Sequence, residues 1–140
     1  MKEITVLVPN KVGALAEVTE VLGNQGVNII SIAAQGFRDV GVIRLITSDE
    51  MSAMNALKKF VATRGGEGYS VSMSDVLIIP VEDRPGELAK ISKRIARAWI
   101  NIECVYQLRR KDKIVELILK TEDIEKTKKA LKSERIKFME

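Results

Sequence analysis

The chain has 140 residues, 46% of them hydrophobic and 30% charged, a globular balance that excludes a disordered, one-sign polyelectrolyte. It has no histidine and one cysteine, Cys104. This excludes His-based acid–base and nucleophile pairs, an intrachain disulfide and Cys-cluster metal sites. The formal net charge of +4 lies entirely in the second half, a weak argument for an acidic partner; no apolar run is long enough for a bilayer and no signal pattern opens the chain, so a cytoplasmic protein without membrane contact is expected.

Ile4–Val8 is a short β-rich run followed by the loop Pro9–Val12. Over residues 13–25, Leu15, Val18, Val21 and Leu22 fall on one helical face, and Gly23 and Gly26 mark the helix end. Val27–Ile32 and Val42–Thr47 read as strands joined through the turn residues Gly36–Gly41. Ser52 is the expected N-cap of a helix carrying Met54, Leu57, Phe60 and Val61. Gly65-Gly66 breaks it, and Tyr69–Met73 is a fourth strand. The same order then returns: strand Val76–Val81, helix Glu87–Ala98, strands Ile100–Leu108 and Ile114–Thr121 around the basic turn Arg109–Lys113, a helix over about Glu122–Ser133, and a strand at Ile136–Met139.

The return is a repeat with an offset of 73 residues. Gly13 maps to Gly86, Leu15 to Leu88, Ala16 to Ala89, Asn28 to Asn101, Ile29 to Ile102 and Val42 to Val115. The fold class is α+β: two ferredoxin-like β-α-β-β-α-β domains in tandem, residues 1–73 and 74–140, each an antiparallel sheet with its helices on one face.

The loop between first strand and first helix carries the chemistry that this sequence offers. In the second copy it reads Asp83-Arg84-Pro85-Gly86-Glu87-Leu88. Proline stiffens the helix entry without losing a needed donor, and glycine permits a tight bend. Unpaired N–H groups at the helix start suit a carboxylate, while Asn10 or Asp83 suits an ammonium group; together they suit a free amino acid. Asn10 and Asp83 serve equally well as simple caps. Asn28 and Asn101, opening the second strands, either end the preceding turn or reach a ligand.

Asn-Lys-Val-Gly-Ala-Leu and Asp-Arg-Pro-Gly-Glu-Leu, each followed by an amphipathic helix and then Gly-Val-Asn-Ile-Ile-Ser-Ile or Trp-Ile-Asn-Ile-Glu-Cys-Val, resemble ACT domains in tandem. The resemblance covers nearly the whole chain. It implies a regulatory module, not an enzyme, that needs no cofactor and binds a free amino acid between one domain's loop and the other's second strand. Carried over by position, the ligand-binding residues are Asn10, Val12, Gly13, Ala14 and Leu15 with Asn28 and Ile29 in the first copy, and Asp83, Pro85, Gly86, Glu87 and Leu88 with Asn101 and Ile102 in the second. The first copy departs from the family pattern, with Val12 where proline is usual and Asn10 for the acid.

Lys90, Lys93, Arg94 and Arg97 form a basic helical stripe, read as a solvated face or a phosphate contact. Aromatic residues are only 4%, too few for base stacking on strands, so nucleic acid is not an expected partner. Trp99 is expected to pack or to sit at an interface. The expected partners are a free amino acid, a second copy of the chain in a homodimer, and a regulated enzyme or regulator. A ligand-free interaction scaffold and a nucleic-acid accessory protein are the alternatives.

Overall fold

The structure, a computed structural model, describes residues 1–65 and 67–132. The chain divides into two compact units, Lys2–Ser74 and the chain from Asp75 together with Met1.

The first unit runs β1 (Lys2–Pro9), α1 (Ala14–Asn24), β2 (Ile29–Phe37), β3 (Val40–Thr47), α2 (Glu50–Thr63) and β4 (Ser70–Asp75). Its sheet has the order β2-β3-β1-β4, the split-βαβ arrangement of a ferredoxin-like unit. β1 lies antiparallel to β3 with Val6 opposite Ile43, and β3 antiparallel to β2 with Ile32 opposite Leu45. Alternate residues of β1, namely Ile4, Val6 and Val8, face Val18 and Leu22 of α1 and Leu57 of α2 in one buried cluster. Period two on the strand thus meets period 3.6 on the helices.

The second unit repeats the order with β5 (Leu77–Glu82), α3 (Glu87–Arg97), β6 (Ile102–Lys111), β7 (Ile114–Thr121) and α4 (Ile124–Leu131). Its described strands have the order β5-β7-β6, and Leu77, Ile79, Ile91, Ile95, Leu119 and Leu131 form its core. The strand expected at residues 136–139 lies outside the described residues, as does Gly66 of the expected Gly65-Gly66 break.

The repeat is not free of gaps. Val8 faces Gly41 in the first unit, whereas Val81 faces Val115 in the second. The offset therefore grows from 73 to 74, and Val42 corresponds to Glu116 rather than to Val115. The extra residue is Leu108, where β6 bulges between Gln107 and Arg109. A bulge absorbs one residue without moving the rest of the ladder, and Leu108 is buried there.

Helix starts also differ from expectation. Asp49, not Ser52, caps α2: its Oδ1 accepts from the Ser52 N–H at 3.1 Å and its Oδ2 accepts from the Ser52 hydroxyl at 2.8 Å. Ser52 is a third-position partner, so the helix begins earlier than a Ser cap allows. Asp123 caps α4 at the equivalent position, accepting from the Lys126 N–H at 2.9 Å. At the end of α1 it is Gly26, with φ +69°, that takes the left-handed turn, while Gly23 stays within the helix.

Two outcomes test these assignments. Ile95 is fully buried in the second core, so Ile95→Ala is expected to lower unfolding free energy by about 2–5 kcal/mol in chemical denaturation. The backbone and hydroxyl hydrogen bonds from Ser52 hold the Asp49 carboxyl below its ordinary range. Folding thus favours the ionised form, and this contribution is present above the ordinary Asp pKa and fades as pH falls through the lower folded value. Asp49→Asn, which still caps, is expected to remove that share of the acid dependence in pH-dependent melting curves.

Candidate functional site

Gly13 and Gly86 stand at the N-caps of α1 and α3, with φ of 89° and 88°. A Cβ at either position meets nothing within 4 Å, so glycine is required by the left-handed backbone and not by crowding. The first helical bonds close on these residues, from the Glu17 N–H to the Gly13 carbonyl at 3.0 Å and from the Lys90 N–H to the Gly86 carbonyl at 3.1 Å. No side chain caps either helix. The helix start is not wholly bare, because the Ala14 N–H donates to the Lys11 carbonyl at 3.3 Å. The short loop folds back on itself there, which the sequence expectation of unpaired groups had not allowed for.

Each loop is tied to the hairpin turn of its own unit. The Asn10 N–H donates to the Asp39 carbonyl at 2.9 Å, and the Asp83 N–H to the Lys113 carbonyl at 2.8 Å. The side chains extend the tie in different ways. Asn10 Nδ2 donates to the Arg38 carbonyl at 2.9 Å, and its amide lies over Gly36, where an added Cβ would come within 2.5 Å of it. Asp83 instead pairs with Arg110 at 3.0 Å, and Arg110 is the counterpart of Gly36.

Between the first loop and the β2–β3 hairpin is a cavity of about 200 Å³. It brings together Asn10, Ala14 and Leu15 of the sequence-derived set, but not Val12, Gly13, Asn28 or Ile29. Val12 is wholly exposed. Lys11, Gln35, Gly36 and Gly41 also line the cavity, and the family pattern had not marked them. The signal for the last two was the glycine-bearing turn, read only as turn chemistry. Lys11 Nζ lies 6.0 Å from the centre of the Tyr69 ring.

In the second unit a closed apolar space of about 10 Å³ gathers Leu88 and Ile102 with neighbours of α3, β6 and β7. It does not include Asp83, Pro85, Gly86, Glu87 or Asn101, and it is barely the size of one water molecule. Glu87 accepts from Arg84 Nε at 2.7 Å and from Lys90 Nζ at 3.0 Å, and Arg84 also meets Glu82 at 2.9 Å.

The strand-opening asparagines have matching anchors. The Asn28 N–H donates to the Ser48 hydroxyl at 3.0 Å, and the Asn101 N–H to Glu122 Oε1 at 3.3 Å; both residues are exposed. Ile29 and Ile102, half-buried, pack on the two cores. Just before Asn101, Trp99 occupies the place of Gly26 with φ +57° and is 89% exposed. It does not pack into the core of its unit. The basic stripe on α3 is a solvated face in which Lys90 pairs with Glu87 and Arg94 reaches the Lys132 carbonyl at 3.4 Å.

The family described as an ACT domain pair matches residues 1–140. No curated protein sequence matches the chain. Among solved structures, protein BT0572 from Bacteroides thetaiotaomicron is similar at 27% identity and TM-score 0.81, covering 99% of this chain and 90% of that one. The ligand-free regulatory subunit of aspartate kinase from Thermus thermophilus is similar at 18% identity and TM-score 0.66, over 93% and 89% of the two chains. Its counterpart from Thermus flavus gives 18%, 0.64, 92% and 88%.

The hydrogen bond from Arg84, then that from Lys90, holds the Glu87 carboxyl below its ordinary range. A depressed folded pKa means that this contribution to stability is present above the ordinary Glu value and is lost as pH falls. Carboxyl-detected NMR titration is expected to show Glu87 titrating below the ordinary glutamate range, and Arg84→Ala to move it back up.

Proposed function

The chain belongs to the ACT domain pair family, and on that premise we propose that it is a regulatory, non-catalytic protein that binds a free amino acid at its strand-to-helix loops. The observation that carries this reading is the cavity beside the Gly13 bend. Lys11 lines it and supplies a cation to meet a carboxylate, and the Asn10 side chain supplies a carbonyl oxygen for an ammonium group. Ala14, Leu15, Ala34 and Ile43 present apolar surface to a ligand side chain. Asn28 and Ile29, with Asn101 and Ile102, supply second-strand contacts from a second copy of the chain.

Assembly fits the same picture. Among the described residues β2 and β6 are edge strands of their sheets, and beside them Leu15, Ile30 and Ile32 in one unit and Leu88 and Val105 in the other are exposed. Open, apolar edges favour pairing with another chain, so the protein is read as a homodimer whose ligand strengthens the assembled state. Solved proteins of this fold carry names as regulatory subunits of aspartate kinase, and the regulated partner of this chain is an enzyme or regulator.

Ligand that binds only the folded state raises stability by about 2.7 kcal/mol at a hundredfold excess over Kd. Thermal melting of the full chain with each proteinogenic L-amino acid in turn is expected to give a clear rise for one or two of them. A flat panel would favour the ligand-free scaffold.

A further inference from the structure

The two loops stand in equivalent places but differ in what fills the space beside them. With the offset corrected for the Leu108 bulge, the wall residues Ala14, Ala34, Gly36 and Gly41 of the first unit correspond to Glu87, Gln107, Arg110 and Val115 of the second. Every one of these changes is from a small residue to a larger one. Three of the four counterparts are polar or charged, and two of them take part in ion pairs. Arg110 meets Asp83 at 3.0 Å, where the first unit has Gly36 beneath Asn10. Glu87 meets Arg84 at 2.7 Å, where the first unit has Ala14 and Lys11. Gln35 and Val42 correspond to Arg109 and Glu116, a pair at 2.8 Å that strand alternation puts on the opposite sheet face from Arg110 and Val115, outside this space. The cavity of about 200 Å³ thus lies beside the loop with the small wall residues, whereas the apolar space of about 10 Å³ in the second unit lies between α3 and the sheet and is not its counterpart.

Charge follows volume. In the second loop each cation already has its carboxylate: Arg84 has Glu82 and Glu87, and Arg110 has Asp83. In the first loop the counterparts of Glu82 and Glu87 are Pro9 and Ala14. Lys11, the counterpart of Arg84, has no carboxylate partner among the described residues, and its Nζ lies 6.0 Å from the centre of the Tyr69 ring. A cation at the wall of an open cavity, with both positions of its acid partners made apolar, awaits an anionic group from outside.

We propose that the chain holds a single amino-acid pocket, in the first unit beside Lys11, and that the equivalent space in the second unit is permanently occupied by the protein's own carboxylate–arginine pairs. This rests on the amino-acid-binding reading above. The ligand carboxylate takes, at Lys11, the part that Glu87 takes at Arg84. The second unit is then a filled copy, a scaffold and pairing surface with no ligand of its own.

The test uses the full chain and isothermal titration with each proteinogenic L-amino acid in turn. The expected stoichiometry is one ligand per chain. Ala34→Gln, which places the second unit's residue in the exposed wall of the first, and Lys11→Glu, at an exposed position, are each expected to weaken binding by about tenfold or more. Lys11→Arg is expected to retain it. Gln107→Ala, the reverse exchange in the second unit, is expected to leave it unchanged. Circular dichroism melting confirms that the variants are folded. Two ligands per chain, or one ligand whose affinity survives both Ala34→Gln and Lys11→Glu, overturns the single-pocket proposal while leaving amino-acid binding in place. No heat with any amino acid overturns the binding reading, and the single pocket with it.

Discussion

At each junction from first strand to first helix the backbone passes through a left-handed residue, and nearly everything about the site depends on that bend. Gly13 and Gly86 adopt φ near +90°, a conformation that strains an L side chain. The bend turns the helix start back toward the hairpin of the same unit, and the hydrogen bonds from Asn10 and Asp83 to the hairpin carbonyls fix that approach. A longer or straighter loop would part the helix terminus from the hairpin, and the walls of the cavity would no longer face each other. The local covalent preference of one residue type thus sets which side chains meet across the space beside it.

Beyond the shared bend, the two units then diverge in the size and charge of the side chains around it. Glycine and alanine leave room at Ala34, Gly36 and Gly41, while Gln107, Arg110 and Val115 take it up. The exposed ion pairs that do so contribute little stability singly. Their larger effect is to satisfy one another's charge at short range, which leaves an incoming zwitterion nothing to replace. Duplication supplied two frames, and the residues on them need not have kept the same use.

Much of the fold was legible because it is written in short-range periodicity. The switch from alternation in Ile4–Val8 to helical spacing at Leu15, Val18 and Leu22 is a local signal, and the burial of those residues in one cluster follows from it. The capping of α2 was legible in kind but misplaced, because Asp49 and Ser52 are both good cap residues and only the backbone decides which one stands outside the helix. The Leu108 bulge was not legible. An apolar residue inserted into an apolar strand leaves the pattern intact, and only the cross-strand partners reveal the extra position. The cavity was hidden for a related reason. It is made by what Gly36 and Gly41 lack, and missing atoms have meaning only once the facing residues are known.

Trp99 holds the position of Gly26 in a left-handed turn, yet carries the largest side chain of any residue type and leaves it in solvent. It is also the sole tryptophan of the chain. Emission excited selectively at tryptophan therefore originates from a largely solvated indole, and its maximum is expected to change little on melting of either core. The same fluorophore shifts to the blue when a surface closes over the start of β6, so the chain carries its own optical probe of association at the edge where a second copy would add.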